Sequence, residues 1–226
     1  MAKAPVDQAE GLRRLLASPL PGLCTVLSAD ADGQKDALMQ RLAASMSRRG
    51  REVILVDGIS AAAAATNVVT STDAGPQAPA HTLLDVARGH ASLDQAGHAD
   101  ADGYRRVPLG ADWDDPALAA LLKRLAAQQA RVLVDATLDA DGCLPLPLLA
   151  DGEVVVQLSG SEASIRTAYE MLRALKDQCA HGSVSLLVTA ADPAHARRVH
   201  SNLFHAASRY LALSVRSIVP QETLHV

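Results

Sequence analysis

The chain has 226 residues, of which 49% are hydrophobic but only 2% aromatic. Such a length suits one large α/β domain, and its core must be packed with aliphatic side chains. Acidic residues outnumber basic residues by 25 to 21, giving a formal charge of −4, which disfavours non-specific nucleic-acid binding. We find no signal peptide and no long apolar span, so we expect a soluble cytoplasmic protein. The cysteines are far apart and suit small core residues in a reducing compartment: Cys24, Cys143 and Cys179.

The first predicted element is a short helix in residues 6–16. Asp7 is placed to cap its first turn, with Glu10 at the position that completes a capping box. Apolar residues recur at helical spacing and form a narrow stripe: Ala9, Leu12, Leu15 and Leu16. Two interpretations stay open, because such a stripe suits a helix that folds back on its own domain and equally one that enters a partner's groove.

A strand, a loop, a helix and a second strand follow. Residues 23–28 are an apolar run, residues 29–34 are small or polar, and residues 52–57 are a second apolar run that ends at Asp57. Between them, apolar side chains recur at the spacing of a helix: Leu38, Leu42, Ala43 and Met46. The pattern predicts a βαβ unit with a right-handed crossover, whose first loop lies at the edge where open α/β sheets bind ligands.

The rest of the chain alternates between helices and strands. We predict a helical turn in the alanine run 61–65 and an amphipathic helix over residues 116–129, capped by Asp114 or Asp115. The remaining predicted elements are helices at residues 161–178 and 193–210, and strands at residues 104–110, 131–135, 153–158, 184–188 and 215–219. This order predicts a three-layer α/β fold, with a mainly parallel sheet covered by helices on both faces.

Several residues invite a metal or recognition role, but their pattern favours a structural one. Asp57, Asp135 and Asp139 lie at or just after predicted strands, yet hard cations need several converging oxygens, so we expect no metal site. Trp113, the only tryptophan, is predicted to be a local packing residue. Three histidines recur every five residues, which separates them by about 140° around a helix and disfavours a ligand set: His195, His200 and His205.

Residues 29–36 occupy the place of a phosphate-binding loop, in the order Ala29, Asp30, Ala31, Asp32, Gly33, Gln34, Lys35 and Asp36. With the unit around it, this stretch resembles the MinD/ParA family of deviant P-loop ATPases, whose loop usually reads Gly-Lys-Gly-Gly-x-Gly-Lys-Thr. Lys35 keeps the second lysine. Asp30 stands where the resemblance implies a lysine that reaches across a nucleotide-sandwich dimer, and Asp36 stands where it implies the hydroxyl that holds Mg²⁺. Asp135 matches the family's Walker B-like acid, whereas Ile59 replaces its switch carboxylate. Residues 82–89 and 92–96 look like the two short helices of the family.

The changes in this loop oppose nucleotide binding. Ala31, Asp32 and Gln34 add Cβ atoms where glycines would let the backbone approach phosphate. Two unit charges about 4 Å apart repel by roughly 4 kcal/mol at an effective dielectric near 20, so Asp30 and Asp32 would repel a polyphosphate. We therefore expect a degenerate nucleotide site that uses no cofactor and has no ATPase activity, formed by Asp30, Asp32, Gly33, Lys35, Asp36, Asp57 and Asp135.

The first helix carries a second resemblance. The amino-terminal motif of the FlhG family, also called FleN or YlxH, is Asp-Gln-Ala-x-x-Leu-Arg, and this chain matches it at Asp7, Gln8, Ala9, Leu12 and Arg13. FlhG proteins are MinD-like regulators of flagellar number and placement. The resemblance implies that residues 1–20 form an activator helix ahead of an α/β domain at residues 23–226, and that this helix stimulates the signal-recognition-particle-type GTPase FlhF. The implied partner-binding residues are Asp7, Gln8, Ala9, Leu12, Arg13 and Leu16.

Three functional hypotheses follow. The leading one is a catalytically inactive FlhG-like regulator of flagellar biogenesis, whose expected partners are an FlhF-type GTPase and components of the flagellar basal body, but not nucleic acid. The second is a divergent ATPase that binds Mg-ATP through Lys35, Asp36 and Asp135. The third is a MinD-like scaffold in another machine, such as cellulose export. The chain stops at Val226 without the basic amphipathic tail of membrane-cycling relatives, so we expect no direct membrane anchor.

Overall fold

The computed structural model of the protein describes residues 20–30, 34–58, 81–110, 112–128, 130–179, 183–190, 192–213 and 215–217. The strands are β1 (Leu23–Ser28), β2 (Val53–Asp57), β3 (His98–Ala99), β4 (Arg105–Pro108), β5 (Arg131–Asp135), β6 (Glu153–Ser159), β7 (Ser183–Thr189) and β8 (Val215–Ser217). The helices are α1 (Gln34–Ser47), α2 (Leu83–Ala87), α3 (Leu93–Ala96), α4 (Pro116–Ala127), α5 (Glu162–Leu175) and α6 (Pro193–Ala206). A 3₁₀ turn (Pro147–Asp151) precedes β6, and a π-helical turn (Ala207–Leu211) follows α6.

The eight strands of the described residues form one sheet in the order β3-β4-β2-β5-β1-β6-β7-β8. Every neighbouring pair is parallel except β3 and β4, which run antiparallel. The predicted mainly parallel sheet is therefore confirmed. Strand β3 was not predicted, because two residues are too few to show a hydrophobic pattern. Gly97 lets it approach β4 closely, since a Cβ there would lie 2.7 Å from a methyl carbon of Val107.

The sheet carries hydrophobic packing on both faces. On one face α1 packs its Leu38, Met39 and Ala43 against β1, β2 and β5. Helices α2, α4, α5 and α6 contribute to the larger cluster on the other face, where Leu118, Leu122, Leu172 and Leu203 are buried. Right-handed crossovers account for α1 lying opposite α4 and α5, because the connection from β1 to β2 runs along the sheet in the direction opposite to the connections from β4 to β5 and from β6 to β7. The three-layer α/β prediction is confirmed.

Most predicted elements are confirmed with small shifts at their ends. Asp115, and not Asp114, caps α4 by accepting from the Ala117 N–H, and the helix ends at Ala127. The predicted last helix ends at Ala206 and continues as the π-helical turn, which stops at Ala212 in a left-handed conformation with φ of 52°. Trp113 packs against the core as predicted.

The cysteine prediction is correct for Cys179, which is buried, and wrong for Cys143, which is exposed. Cys143 closes a surface turn in which the Asp139 carboxylate accepts its N–H at 2.8 Å. A surface turn that is held by a side-chain cap does not need an apolar side chain at its end, so the core prediction fails there.

Some predictions lie outside the described residues. They concern the alanine turn, the position of Ile59, three loop residues (Ala31, Asp32 and Gly33) and the whole amino-terminal helix, including Asp7, Gln8, Ala9, Leu12, Arg13 and Leu16. Within the part of the chain that the structure describes, no helix is both long enough and apolar enough to cross a membrane.

Candidate functional site

The candidate site lies at the carboxyl edge of the central strands. Asp57 ends β2 and Asp135 ends β5, and the two residues are direct neighbours in the register of these parallel strands. Lys35 and Asp36 lie in the first turn of α1, which follows the loop after β1. Parallel strands bring their carboxyl ends to one edge of a sheet, so these four predicted site residues lie together.

Lys35 is bound by its own chain. The side chain is buried, the residue being 7% exposed, and its Nζ donates to the carbonyl oxygen of Ala136 at 2.6 Å and forms an ion pair with Oδ1 of Asp135. Burial lowers the pKa of Lys35, an effect that the charge of Asp135 opposes. Burial likewise raises the pKa of Asp135, and the Lys35 ammonium opposes that shift. Each charge therefore offsets part of the cost of burying the other.

Arg106 is a site residue that the sequence analysis missed. It lies on β4, and its Nη2 donates to Oδ2 of Asp57 at 2.7 Å and to Oδ1 of Asp36 at 2.9 Å. Burial alone would lower the pKa of Arg106, but its ion pairs with Asp57 and Asp36 raise it on balance. We call the five residues of these ion pairs the charged cluster: Lys35, Asp36, Asp57, Arg106 and Asp135.

Asp30 belongs to a different group. Its Oδ1 accepts from the Ser159 hydroxyl at 2.8 Å, and its Oδ2 accepts from Nε2 of Gln157 at 3.1 Å. Gln157 is 1% exposed and uses its whole carboxamide, because Oε1 accepts from Ser28 and Nε2 also donates to Thr189 at 3.2 Å. We call this group the polar cluster: Ser28, Asp30, Gln157, Ser159 and Thr189. It occupies the carboxyl ends of β1, β6 and β7.

Trp113 covers the edge beside the charged cluster. A Cβ built on Gly58, the residue after Asp57, would lie 2.2 Å from the backbone oxygen of Asp135 and 2.7 Å from a ring carbon of Trp113. Only glycine therefore allows the indole ring and the end of β5 to approach β2 this closely.

The metal-site candidates do not converge. Asp139 is exposed, and its carboxylate accepts from the N–H groups of Asp141 and Cys143, so it does not join Asp57 and Asp135. His195 contacts the carbonyl oxygen of Gly160 at 3.0 Å, while His200 stacks on Phe204. Among the described residues, no three His, Cys, Asp or Glu side chains form a group that could hold a metal ion.

The magnesium ion that the family resemblance implies does not fit this arrangement. The carboxylates of Asp36 and Asp57 lie within hydrogen-bonding distance of one guanidinium group, and the carboxylate of Asp135 is paired with an ammonium group. A divalent cation on the same oxygens would face two protein cations at short range, which is electrostatically unfavourable.

Comparison with known proteins places the fold. No family model and no curated protein sequence matches this chain. A ParA family ATPase from Chlorobium tepidum TLS superposes with a TM-score of 0.55 at 14% identity, over 89% of this chain and 85% of that chain. MinD from Aquifex aeolicus gives 0.55 at 13% identity, over 85% and 80% of the two chains, and MinD from Pyrococcus furiosus gives 0.52 at 20% identity, over 80% of each. The chain therefore has the three-layer α/β fold of MinD/ParA-type P-loop ATPases, and at these identities the likeness concerns the fold alone.

Proposed function

We propose that this protein is a non-catalytic regulator of the MinD/FlhG type, which acts on a partner through its amino-terminal helix and does not hydrolyse ATP. The observation that supports an inactive site is how the side chain of Lys35 is bound. Lys35 is the lysine retained at the end of the phosphate-loop segment. Its ammonium group is buried, ion-paired with Asp135 and hydrogen-bonded to Ala136. The chain itself thus supplies the contacts that a phosphate group would supply.

A bound polyphosphate would disturb this arrangement. If the Lys35 ammonium moved toward phosphate, the carboxylate of Asp135 would lose its cation, and removing one partner of a buried ion pair costs about 3–5 kcal/mol. Asp36 adds a negative charge to the first turn of α1, the place where a helix otherwise favours anions. Both effects weaken the binding of ATP and support an inactive site.

The partner is proposed from the amino-terminal motif. The residues of Asp-Gln-Ala-x-x-Leu-Arg precede a domain with the MinD/ParA-type fold, which is the order that the FlhG resemblance implies. We assign to this helix the stimulation of an FlhF-type GTPase. Gln8 would complete the partner's active site, because a glutamine that orients the attacking water is a recurring part of GTPase sites. The cellular role would be control of flagellar number and placement.

The GTPase assay tests this assignment with the full-length chain. GTP turnover by the FlhF-type protein of the same organism is measured alone, with the wild-type protein and with Gln8→Glu. We expect Gln8→Glu to reduce the stimulation by about tenfold or more, since the water-orienting amide is lost. Gln95→Glu is the matched control: it lies in a second Asp-Gln-Ala sequence, in the capping box of α3, where glutamate keeps the required acceptor. Undiminished stimulation by Gln8→Glu would contradict the proposal.

Calorimetric titration with Mg-ATP tests the inactive site separately. We expect no binding at micromolar nucleotide and no change in the fluorescence of Trp113, which lies beside the charged cluster. The informative pair of variants is Lys35→Ala and Lys123→Ala, because Lys123 is an exposed lysine on α4. Micromolar binding that is lost in Lys35→Ala and kept in Lys123→Ala would establish the divergent ATPase instead.

A further inference from the structure

The position of Arg106 in the charged cluster carries one further inference. Its Nη2 lies 2.7 Å from Asp57 and 2.9 Å from Asp36, so one side chain of β4 joins the end of β2 to the first turn of α1. Along the chain, the rest of α1, residues 48–52 and β2 separate these two carboxylates. Arg106 therefore fastens two separate parts of the site edge.

The charges around Arg106 explain why a cation is needed there. The charged cluster contains three carboxylates, one each from α1, β2 and β5. Lys35 forms an ion pair with one of them, Asp135. Asp57 is itself buried, at 8% exposure, and is the register neighbour of Asp135. Without Arg106, the buried carboxylate of Asp57 would lose an ion pair while it remained close to the exposed carboxylate of Asp36 and to Asp135.

The geometry points to Arg106 as an internal cation that replaces a divalent metal ion at this edge. A guanidinium group offers several hydrogen-bond donors in a fixed plane and binds carboxylates strongly. Unlike a divalent metal ion, it carries one positive charge and does not exchange with solvent. The protein therefore holds the start of α1 against the end of β2 in the absence of magnesium. This inference concerns the cation alone and rests neither on the GTPase partner nor on the amino-terminal helix.

A consequence is that removal of the guanidinium group exposes a latent divalent-cation site. In Arg106→Gln the backbone of α1 and β2 still holds Asp36 and Asp57 next to each other. Carboxylate oxygens are the ligands that magnesium and manganese prefer. The variant should then gain stability from a divalent cation by mass action, which the wild-type protein should not.

Thermal unfolding of the full-length chain tests the inference, without nucleotide, at constant ionic strength and with either EDTA or millimolar Mg²⁺ or Mn²⁺. We expect the midpoint of the wild-type protein to be the same in all three conditions. Arg106→Gln should unfold roughly 5–10 °C lower in EDTA, because a carboxylate pair loses its cation, and should recover at least half of that loss with Mn²⁺.

Three further variants separate metal binding from simple loss of packing. Arg105→Gln removes the neighbouring arginine, whose partner Asp94 is exposed, and should show little loss and no metal response. Arg106→Lys keeps the charge and should also lack a metal response. Arg106→Gln with Asp36→Asn removes one of the two ligands, and should regain stability in EDTA and lose the response to Mn²⁺.

Two results would overturn the inference. One is a wild-type midpoint that rises with Mg²⁺ or Mn²⁺ as much as that of Arg106→Gln. The other is an Arg106→Gln variant, folded in EDTA, whose midpoint is unchanged by either metal. If Arg106→Gln does not fold in EDTA, refolding in Mn²⁺ supports the inference and failure to refold there overturns it. None of these outcomes depends on ATP binding or GTPase stimulation, so they are distinct from failure of the proposed function.

Discussion

The two halves of the sheet's carboxyl edge satisfy their buried polar groups by different chemistry. In the charged cluster, two cations from α1 and β4 neutralise carboxylates from α1, β2 and β5. In the polar cluster, the single carboxylate of Asp30 is held by a hydroxyl and by the carboxamide of Gln157. Both clusters flank the loop that corresponds to a phosphate-binding loop, which lies between β1 and α1.

The difference teaches which parts of the edge tolerate change. A buried ion pair that loses one partner leaves an uncompensated charge, at a cost of about 3–5 kcal/mol, whereas an unsatisfied neutral group costs about 1–3 kcal/mol. Substitutions in the charged cluster should therefore destabilise the protein more than substitutions in the polar cluster. They should also be rescued by removing the opposite charge, which has no counterpart on the polar side.

The largest effect is expected for Lys35→Met. The variant leaves Asp135, whose side chain is 14% exposed, without its cation, and we expect the free energy of unfolding to fall by about 3–5 kcal/mol in urea denaturation. Lys35→Met with Asp135→Leu removes both charges and should come within about 1 kcal/mol of the wild-type protein or exceed it, since apolar replacement of a buried pair is often neutral or stabilising. Equal losses in the single and double variants would show that the pair is not a coupled unit.

The same single variant should acquire a characteristic dependence on pH. Burial raises the pKa of Asp135, and Lys35→Met removes the ammonium that opposes this shift. A carboxyl group with a raised folded-state pKa favours folding only while it is protonated. Stability should therefore fall as pH rises from the unfolded pKa of about 4 to the raised folded value, and should level off above it.

Urea denaturation across this pH range measures the slope. Lys35→Met with Asp135→Asn is the matched control, because asparagine has a similar shape and does not titrate. If the slope persisted in this control, another group would be responsible for it.

A smaller effect is expected for Gly58→Ala, which tests the backbone contact beside the charged cluster. The added Cβ would lie 2.2 Å from the backbone oxygen of Asp135, so β2, β5 or Trp113 must shift, and overpacking of this kind costs about 1–3 kcal/mol. We expect a changed fluorescence spectrum of Trp113 as well. In Gly89→Ala, the new Cβ meets nothing within 4 Å although φ is +76°, so it should lose stability through backbone strain and keep the spectrum unchanged.

The smallest effect is expected for Asp30→Asn in the polar cluster. Asparagine keeps one oxygen for the Ser159 hydroxyl but turns an N–H₂ group toward Nε2 of Gln157, which should cost about 1–2 kcal/mol. Urea denaturation should show this loss without any response to Mg²⁺. A loss as large as that of Lys35→Met would mean that the polar cluster, too, depends on its charge.

The fold could be predicted where the sequence has a clear local hydrophobic pattern. Strand β5 has the predicted bounds, Arg131–Asp135, because three consecutive aliphatic residues leave little ambiguity about a buried parallel strand. Helices α2 and α3 were expected from the family resemblance, and the structure shows that each also begins with a capping box, which is a local signal. Strand β3 was not predicted because its pairing depends on β4 and on the close approach at Gly97.

A site residue could be predicted only where its own segment of the sequence shows that it lies at the end of a strand or at the start of a helix. Lys35, Asp57 and Asp135 were selected because each lies at the end of a predicted strand or at the start of a helix, and parallel topology brings such ends together. Arg106 was missed because Arg105 and Arg106 look alike in sequence, and only the register with β2 directs one of them to Asp57. The partners of Asp30 lie more than 120 positions away on β6, with separations of 127 and 129 residues, so no local pattern reveals them.

The antiparallel strand β3 has a consequence for how other proteins meet this molecule. It supplies only two residues, both exposed, and it runs against the direction of every other strand in the sheet. Two residues are too short a template for another chain to extend the sheet on this side. Short edge strands of this kind protect native proteins from polymerising through the edges of their sheets. This edge of the sheet is therefore a poor template for main-chain pairing with another protein.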